Sequence, residues 1–145
     1  SSEIDYLTRI ARPDVALVNN AADAHLQGLG SVEAIARAKG EIFSGLGSDG
    51  VAVINADDSY ASIWCNLAVT HRVFDFAMEH TAVVQGKWMV QGYGGALQIH
   101  APAGEMCVVL QVPGEHNARN ALAAATAALA LELPLPVIVK GLESF

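Results

Sequence analysis

Charge is scarce in this 145-residue sequence: charged residues make up 16% of it, with 8 basic against 15 acidic and a formal net charge of −7. The few basic groups are scattered, so the chain lacks the electrostatic footprint that a phosphate backbone requires, and neither nucleic acid nor an anionic membrane is an expected partner. Aromatic residues amount to 6%, and there are only two cysteines. Cys65 and Cys107 share no C-x-x-C spacing and follow no secretory segment. That excludes a disulfide scaffold and points to reduced thiols in a cytoplasmic protein, each cysteine reading as a small core hydrophobe. No hydrophobic run is long: the longest nearly apolar stretch, residues 121–131, falls far short of the roughly 20 residues that cross a bilayer, so no integral membrane segment is expected. Internal repeats and low-complexity linkers are also missing. Apolar residues make up 52%, 25 of them alanine, the composition of a packed interior under a thin polar coat. The length fits about one domain of roughly 150 residues.

The order of patterns along the chain predicts an α/β fold. Ile4, Leu7 and Ile10 recur at helical spacing over residues 3–12, and Pro13 stops that helix. Residues 15–18 form a short apolar run of the kind covered on both faces in a parallel sheet, and it ends in Asn19-Asn20. A loop over 21–30 leads to a helix capped by Ser31 and running to about residue 46. Gly47-Ser48-Asp49-Gly50 then turns the chain into a second buried strand, 51–54, closed by Asn55-Ala56-Asp57-Asp58. A helix over 60–69, with Asp57 and Asp58 as its caps, and a third strand over 72–76 follow. Residues 81–90, 95–100 and 106–112 are rich in β-formers and separated by glycine- and proline-containing turns, which predicts an antiparallel meander. Residues 117–131 form an alanine-rich helix with Asn117 as N-cap, and Pro134 and Pro136 introduce a last short helix. Ser1-Ser2 leads into a helical pattern without an initiator methionine and Phe145 precedes any cap, so the sequence reads as a fragment.

Two glycine patterns are set aside. Gly45-Leu46-Gly47-Ser48-Asp49-Gly50 matches G-x-G-x-x-G but follows a helix and precedes a strand, the reverse of the dinucleotide-binding context. The pair Gly86-Lys87 has Thr81 where a phosphate-binding loop needs its first glycine and Trp88 where it needs a hydroxyl.

Lys39 is the anomaly. Val32, Ile35, Ile42, Phe43 and Leu46 make an apolar stripe whose missing step is position 39, while Glu33, Arg37 and Glu41 form the charged face. Lys39 is either a snorkelling side chain or a partly desolvated amine available for covalent chemistry. Gly40 beside it costs a helix interior about 1 kcal/mol relative to alanine. His25 lies in the loop after the first strand, on the side of the sheet where ligands collect. His71, His80 and His100 read as surface or strand-packing residues. His116-Asn117-Ala118-Arg119-Asn120 opens the alanine-rich helix, and Asn117 and Asn120, three apart, offer amides that both donate and accept, as an adenine edge requires.

Four segments together carry a resemblance: Val18-Asn19-Asn20-Ala21-Ala22-Asp23-Ala24-His25-Leu26, Ala38-Lys39-Gly40-Glu41-Ile42-Phe43, Ile54-Asn55-Ala56-Asp57-Asp58, and Pro113-Gly114-Glu115-His116-Asn117-Ala118-Arg119-Asn120-Ala121-Leu122. In this order and spacing they closely resemble the central, ATP-binding domain of the Mur ligases, over nearly the whole chain. The resemblance implies a mostly parallel sheet flanked by helices with a small antiparallel meander. It also implies an ATP-dependent, amide-bond-forming ligase of peptidoglycan synthesis that works through an acyl phosphate with magnesium, two ions being expected. Lys39 matches the lysine that carries a metal-bridging carbamate, and His25 matches a metal-ligating histidine. His116, Asn117 and Asn120 match the nucleotide-binding stretch. The run from Ala38 to Phe43 favours the branch that joins D-alanyl-D-alanine to a UDP-N-acetylmuramoyl tripeptide. A folate-polyglutamate-type ligase of the same architecture and a non-catalytic α/β binding domain are the alternatives. By the same resemblance, residues 1–145 are part of the central domain. The phosphate-binding loop, a metal-binding glutamate and the amino- and carboxy-terminal domains would lie outside the sequence, so the chain alone is not expected to turn over ATP.

Overall fold

The computed structural model describes residues 14–19 and 32–144. The expected helix over 3–12, the cap Ser31 and His25 lie outside the described residues.

Six strands form one sheet in the order β1 (Val15–Val18), β2 (Val51–Asn55), β3 (Arg72–Ala77), β4 (Val84–Gln91), β5 (Gly94–Ala101) and β6 (Gly104–Leu110). The first four run parallel to one another and the last three form antiparallel pairs. The meander is therefore continuous with the parallel half. The join is narrow, since β3 and β4 pair only at Phe76 with Val84 and Ala77 with Gln85.

Burial explains the apolar runs. Every residue of β2 is buried, with Val51 and Val53 in one hydrophobic cluster and Ala52 and Ile54 in another. Period-2 alternation thus sends successive side chains into two separate cores, one on each face. The first core is closed by α3 (Glu115–Ala130) and α4 (Leu135–Glu143), through Leu122, Leu129 and Ile138 against Phe76, Leu97 and Val108. The second is closed by α1 (Val32–Gly40), a short 3-10 helix (Glu41–Gly45) and α2 (Ala61–Leu67), through Ala36, Phe43 and Trp64. Over the antiparallel half only one face is covered. Lys87, Gln98, His100, Glu105 and Cys107 occupy the other face and are exposed.

Two expectations are corrected here. The helix predicted to run to residue 46 is α-helical only to Gly40 and then tightens into the 3-10 turn. The cause is close packing: a Cβ on Gly40 would collide with Leu67 Cδ1 and lie 3.3 Å from Trp64 Cδ1. The fully buried Trp64 also donates its indole N–H to the Ala36 carbonyl at 2.9 Å. α1 can thus approach α2 only because residue 40 has no side chain. Secondly, Cys65 and Cys107 are both exposed rather than in the core. Cys107 sits on the uncovered face of β6, and Cys65 follows Trp64, which takes the buried side of α2. No helix among the described residues is long and apolar enough to cross a membrane.

Candidate functional site

The parallel strands end on a cluster of polar residues, where open α/β sheets collect ligands. Asn19 follows β1, Asn55 to Asp58 close β2, Met78 to His80 follow β3, and the first turns of α3 meet them. α3 opens at Glu115 with Gly114 as its N-cap, at φ +95°, a conformation that disfavours side chains. Asn117 is consequently not the cap that the sequence suggested. It sits inside the first turn and donates its amide back to the Pro113 carbonyl at 2.7 Å.

Asn120 lies one turn on. Its Oδ1 accepts from Asn19 Nδ2 at 3.2 Å, and its own Nδ2 donates to His116 Nε2 at 3.3 Å. The three residues picked out on this helix are thus exposed and gathered at its start, and two of them touch. Asn19 Oδ1 is buried and has no hydrogen-bond partner among the described residues. The exposed amides beside it offer both donors and acceptors.

Lys39 lies in the last turn of α1, half-buried on the stripe where the sequence put it, between buried Ile35 and buried Phe43. The solvent-side pair is also present, with Arg37 Nη2 3.4 Å from Glu33 Oε1. The structure does not group Lys39 with the amides: α1 and α3 cover opposite faces of the sheet. No cluster of three or more His, Cys, Asp and Glu side chains among the described residues could hold a metal ion. The described carboxylates and imidazoles therefore do not make a metal centre by themselves.

Asp57 is the residue that sequence reasoning missed. It does not cap α2. Asp58 takes the local role, accepting the Tyr60 N–H at 2.9 Å ahead of that helix. Asp57, with a side chain 7% exposed, turns instead to the loop after β3. It accepts backbone N–H bonds from Met78 at 2.6 Å, Glu79 at 3.2 Å and His80 at 2.8 Å. The His80 ring nitrogen and Arg119 Nη1 approach the same carboxylate at 2.8 Å each. Burial by itself would push this carboxyl up, and the N–H donors of Met78, His80 and Glu79 with the His80 ring outweigh it, holding Asp57 well below the usual carboxylate range. One sequence signal was available: Asn55-Ala56-Asp57-Asp58 offers two acids where one suffices to turn the chain.

Surface clefts lie elsewhere, one over the uncovered face of β4 to β6 and another beside Arg72 and the end of α3, and neither is lined by Lys39 or the α3 amides. The polar cluster is the stronger candidate because its chemistry is at the strand ends.

Comparison with known proteins identifies the family. The Mur ligase middle domain matches residues 1–128. The chain is similar to UDP-N-acetylmuramoyl-tripeptide–D-alanyl-D-alanine ligase of Buchnera aphidicola subsp. Baizongia pistaciae, at 38% identity over 98% of this chain and 31% of that protein. It is equally similar to the ligase of that name from Escherichia coli K12, at 38% identity over 98% of this chain and 32% of that protein. Among solved structures, MurF from Acinetobacter baumannii superposes with a TM-score of 0.89 at 36% identity, covering 97% of this chain and 31% of that one. The chain spans about a third of the length of the curated relatives it matches. With the family profile covering most of the sequence and the same mixed sheet in its structural neighbours, the chain belongs to the Mur ligase middle-domain family.

Proposed function

We propose that this chain is part of the central domain of an ATP-dependent ligase that joins D-alanyl-D-alanine to a UDP-N-acetylmuramoyl tripeptide in the cytoplasm, during peptidoglycan synthesis. The observation that carries the reading is the 38% identity to two such ligases over 98% of the chain. The gathered amides at the start of α3 support it from the structure. In this reading a carboxylate oxygen of the tripeptide attacks the γ-phosphorus of ATP, and ADP leaves. The dipeptide's amine then attacks the acyl-phosphate carbon, inorganic phosphate departs with the C–O bond, and the amine loses a proton as the amide forms.

His116, Asn117 and Asn120 bind the adenine end of the nucleotide. Asn120 is oriented for this by Asn19, which fixes its Oδ1 and leaves its Nδ2 turned toward His116. Lys39, as a carbamate, and His25 would hold magnesium, which would offset phosphate charge when bound. The place of Lys39 on the apolar stripe of α1, half-buried between Ile35 and Phe43, supports its role. The phosphate-binding loop and the domains that present the two substrates belong to the rest of the ligase.

The test is made in the full-length ligase. Formation of the UDP-N-acetylmuramoyl pentapeptide should require ATP and rise with added bicarbonate, and Lys39→Ala should lower it by more than about 100-fold, beyond the loss for an outer-shell partner of a metal site. Undiminished turnover in Lys39→Ala, or no ATP-dependent product from the unsubstituted enzyme, would refute the reading.

A further inference from the structure

We propose that Asp57 and Arg119 are positioning residues for the nucleotide: their ion pair sets where the amides of Asn117 and Asn120 stand over the sheet. The inference rests on the adenine role given above to those amides and extends it to two residues that do not themselves touch the base.

Asp57 is built as a fixed anchor. Three successive backbone N–H groups and the His80 ring converge on its two oxygens, so the carboxylate has no freedom to follow a moving partner. Its own N–H is tied to Asn55 Oδ1 at 2.9 Å. Arg119 reaches this anchor from the first turns of α3 with Nη1 at 2.8 Å, while Nη2 lies 3.3 Å from Glu115 Oε1 one turn back. The Arg119 side chain is 25% exposed and that of Asp57 7%, so the contact is largely shielded from solvent.

Its place in the helix gives it a role beyond general adhesion. Arg119 sits between Asn117 and Asn120. It is clamped to the end of β2, and the next residue, Asn120, is clamped to Asn19 at the end of the neighbouring strand β1. Two consecutive side chains thus fix both the rotation of α3 and its height above two adjacent strands. Gly114 contributes no side-chain cap, so the Asn117 bond to Pro113 and these two clamps add to the backbone bond from Ala118 to Gly114 and the burial of Ala118 in holding the helix start. A released α3 start would leave the amides chemically intact and misplaced, and hydrogen bonds to a planar base are sensitive to such displacement.

The experiment uses the full-length ligase with Arg119→Ala, Arg119→Lys, Asn120→Ala and the double variant, read as KM for ATP, kcat, and preference for ATP over ITP, which lacks the adenine amine. Arg119→Ala should raise KM for ATP about tenfold, the factor carried by one interaction of about 1.4 kcal/mol, with kcat held within about twofold. Its preference for ATP over ITP should fall toward that of Asn120→Ala, Arg119→Lys should recover most of both, and the double variant should be no worse than Asn120→Ala alone. A merely structural ion pair would lower the yield of active enzyme and leave base preference unchanged. That result, or simple additivity in the double variant, overturns the proposal. Should Arg119→Ala fail to fold, Arg119→Gln carries the same comparison. An effect of Asn120→Ala without one from Arg119 defeats the positioning role alone; no effect of Asn120→Ala defeats the adenine reading and the positioning role with it.

Discussion

Replacing Trp64 by phenylalanine probes the contact that brings α1, and Lys39 with it, against the sheet. Trp64 is fully buried, its indole N–H donates to the Ala36 carbonyl at 2.9 Å, and its Cδ1 faces the bare Cα of Gly40. Phenylalanine keeps a six-membered ring and deletes the donor and the five-membered ring. Loss of the hydrogen bond costs about 1 kcal/mol. The void left by the smaller side chain costs about 1–2 kcal/mol, a fraction of the roughly 3–5 kcal/mol for truncating a buried aromatic to alanine. The sum, about 2–3 kcal/mol, corresponds to a fall in Tm on the order of 5–10 °C for a domain of this size. The assay is urea unfolding of the 145-residue chain followed by circular dichroism, because the substitution removes one of only two tryptophans and alters the fluorescence signal itself. The midpoint should fall with the slope unchanged. A loss under about 0.5 kcal/mol, the range of an ordinary surface substitution, would refute the assignment of Trp64 as the contact that holds α1.

Asp57 gives the chain an acid dependence of definite sign. Its folded-state pKa lies well below the ordinary 3.8, so its contribution to stability is complete above about pH 4 and drains away as the pH falls further. The urea midpoint of the unsubstituted chain should therefore drop more steeply below about pH 4 than that of Asp57→Asn, and parallel profiles would defeat the assignment. Gly114→Ala should destabilise the chain by about 1–3 kcal/mol, since φ +95° is strained for any side chain even though nothing crowds the site. An unchanged midpoint would mean that α3 opens through a different backbone conformation.

Legibility in the sequence followed the range of the interactions. Residues 15–18 and 51–54 announce buried strands because each face of the sheet has its own core, and continuous apolar runs have no other use at that length. The meander is readable from its turns, and Lys39 from a break in a helical stripe. What is not readable is set by partners distant in the chain. The tightening of α1 after Gly40 depends on Trp64 and Leu67, which arrive from the next helix. Asp57 reads as a cap because the backbone donors nearest in sequence are local, whereas its partners are the 78–80 loop and Arg119, 62 residues away. Exposure of Cys107 has the same origin: the strand alternates correctly, and only the tertiary arrangement shows that one face of β6 has no helix over it.

The two-residue ladder between β3 and β4 divides the sheet kinetically as well as visibly. β4, β5 and β6 close through tight turns between consecutive strands, so their pairing requires little loop-closure entropy. β1 and β2 can pair only after an intervening helical segment has been folded back, which makes their contacts long-range and slow to form. The meander should therefore form early, with Phe76 and Ala77 the seam along which the parallel strands are added. The core under α3 crosses this seam, so the weak point is confined to the strand pairing itself. Amide exchange in β5, flanked on both sides by complete antiparallel ladders, should be slower than in β3, whose pairing to β4 covers only its last two residues.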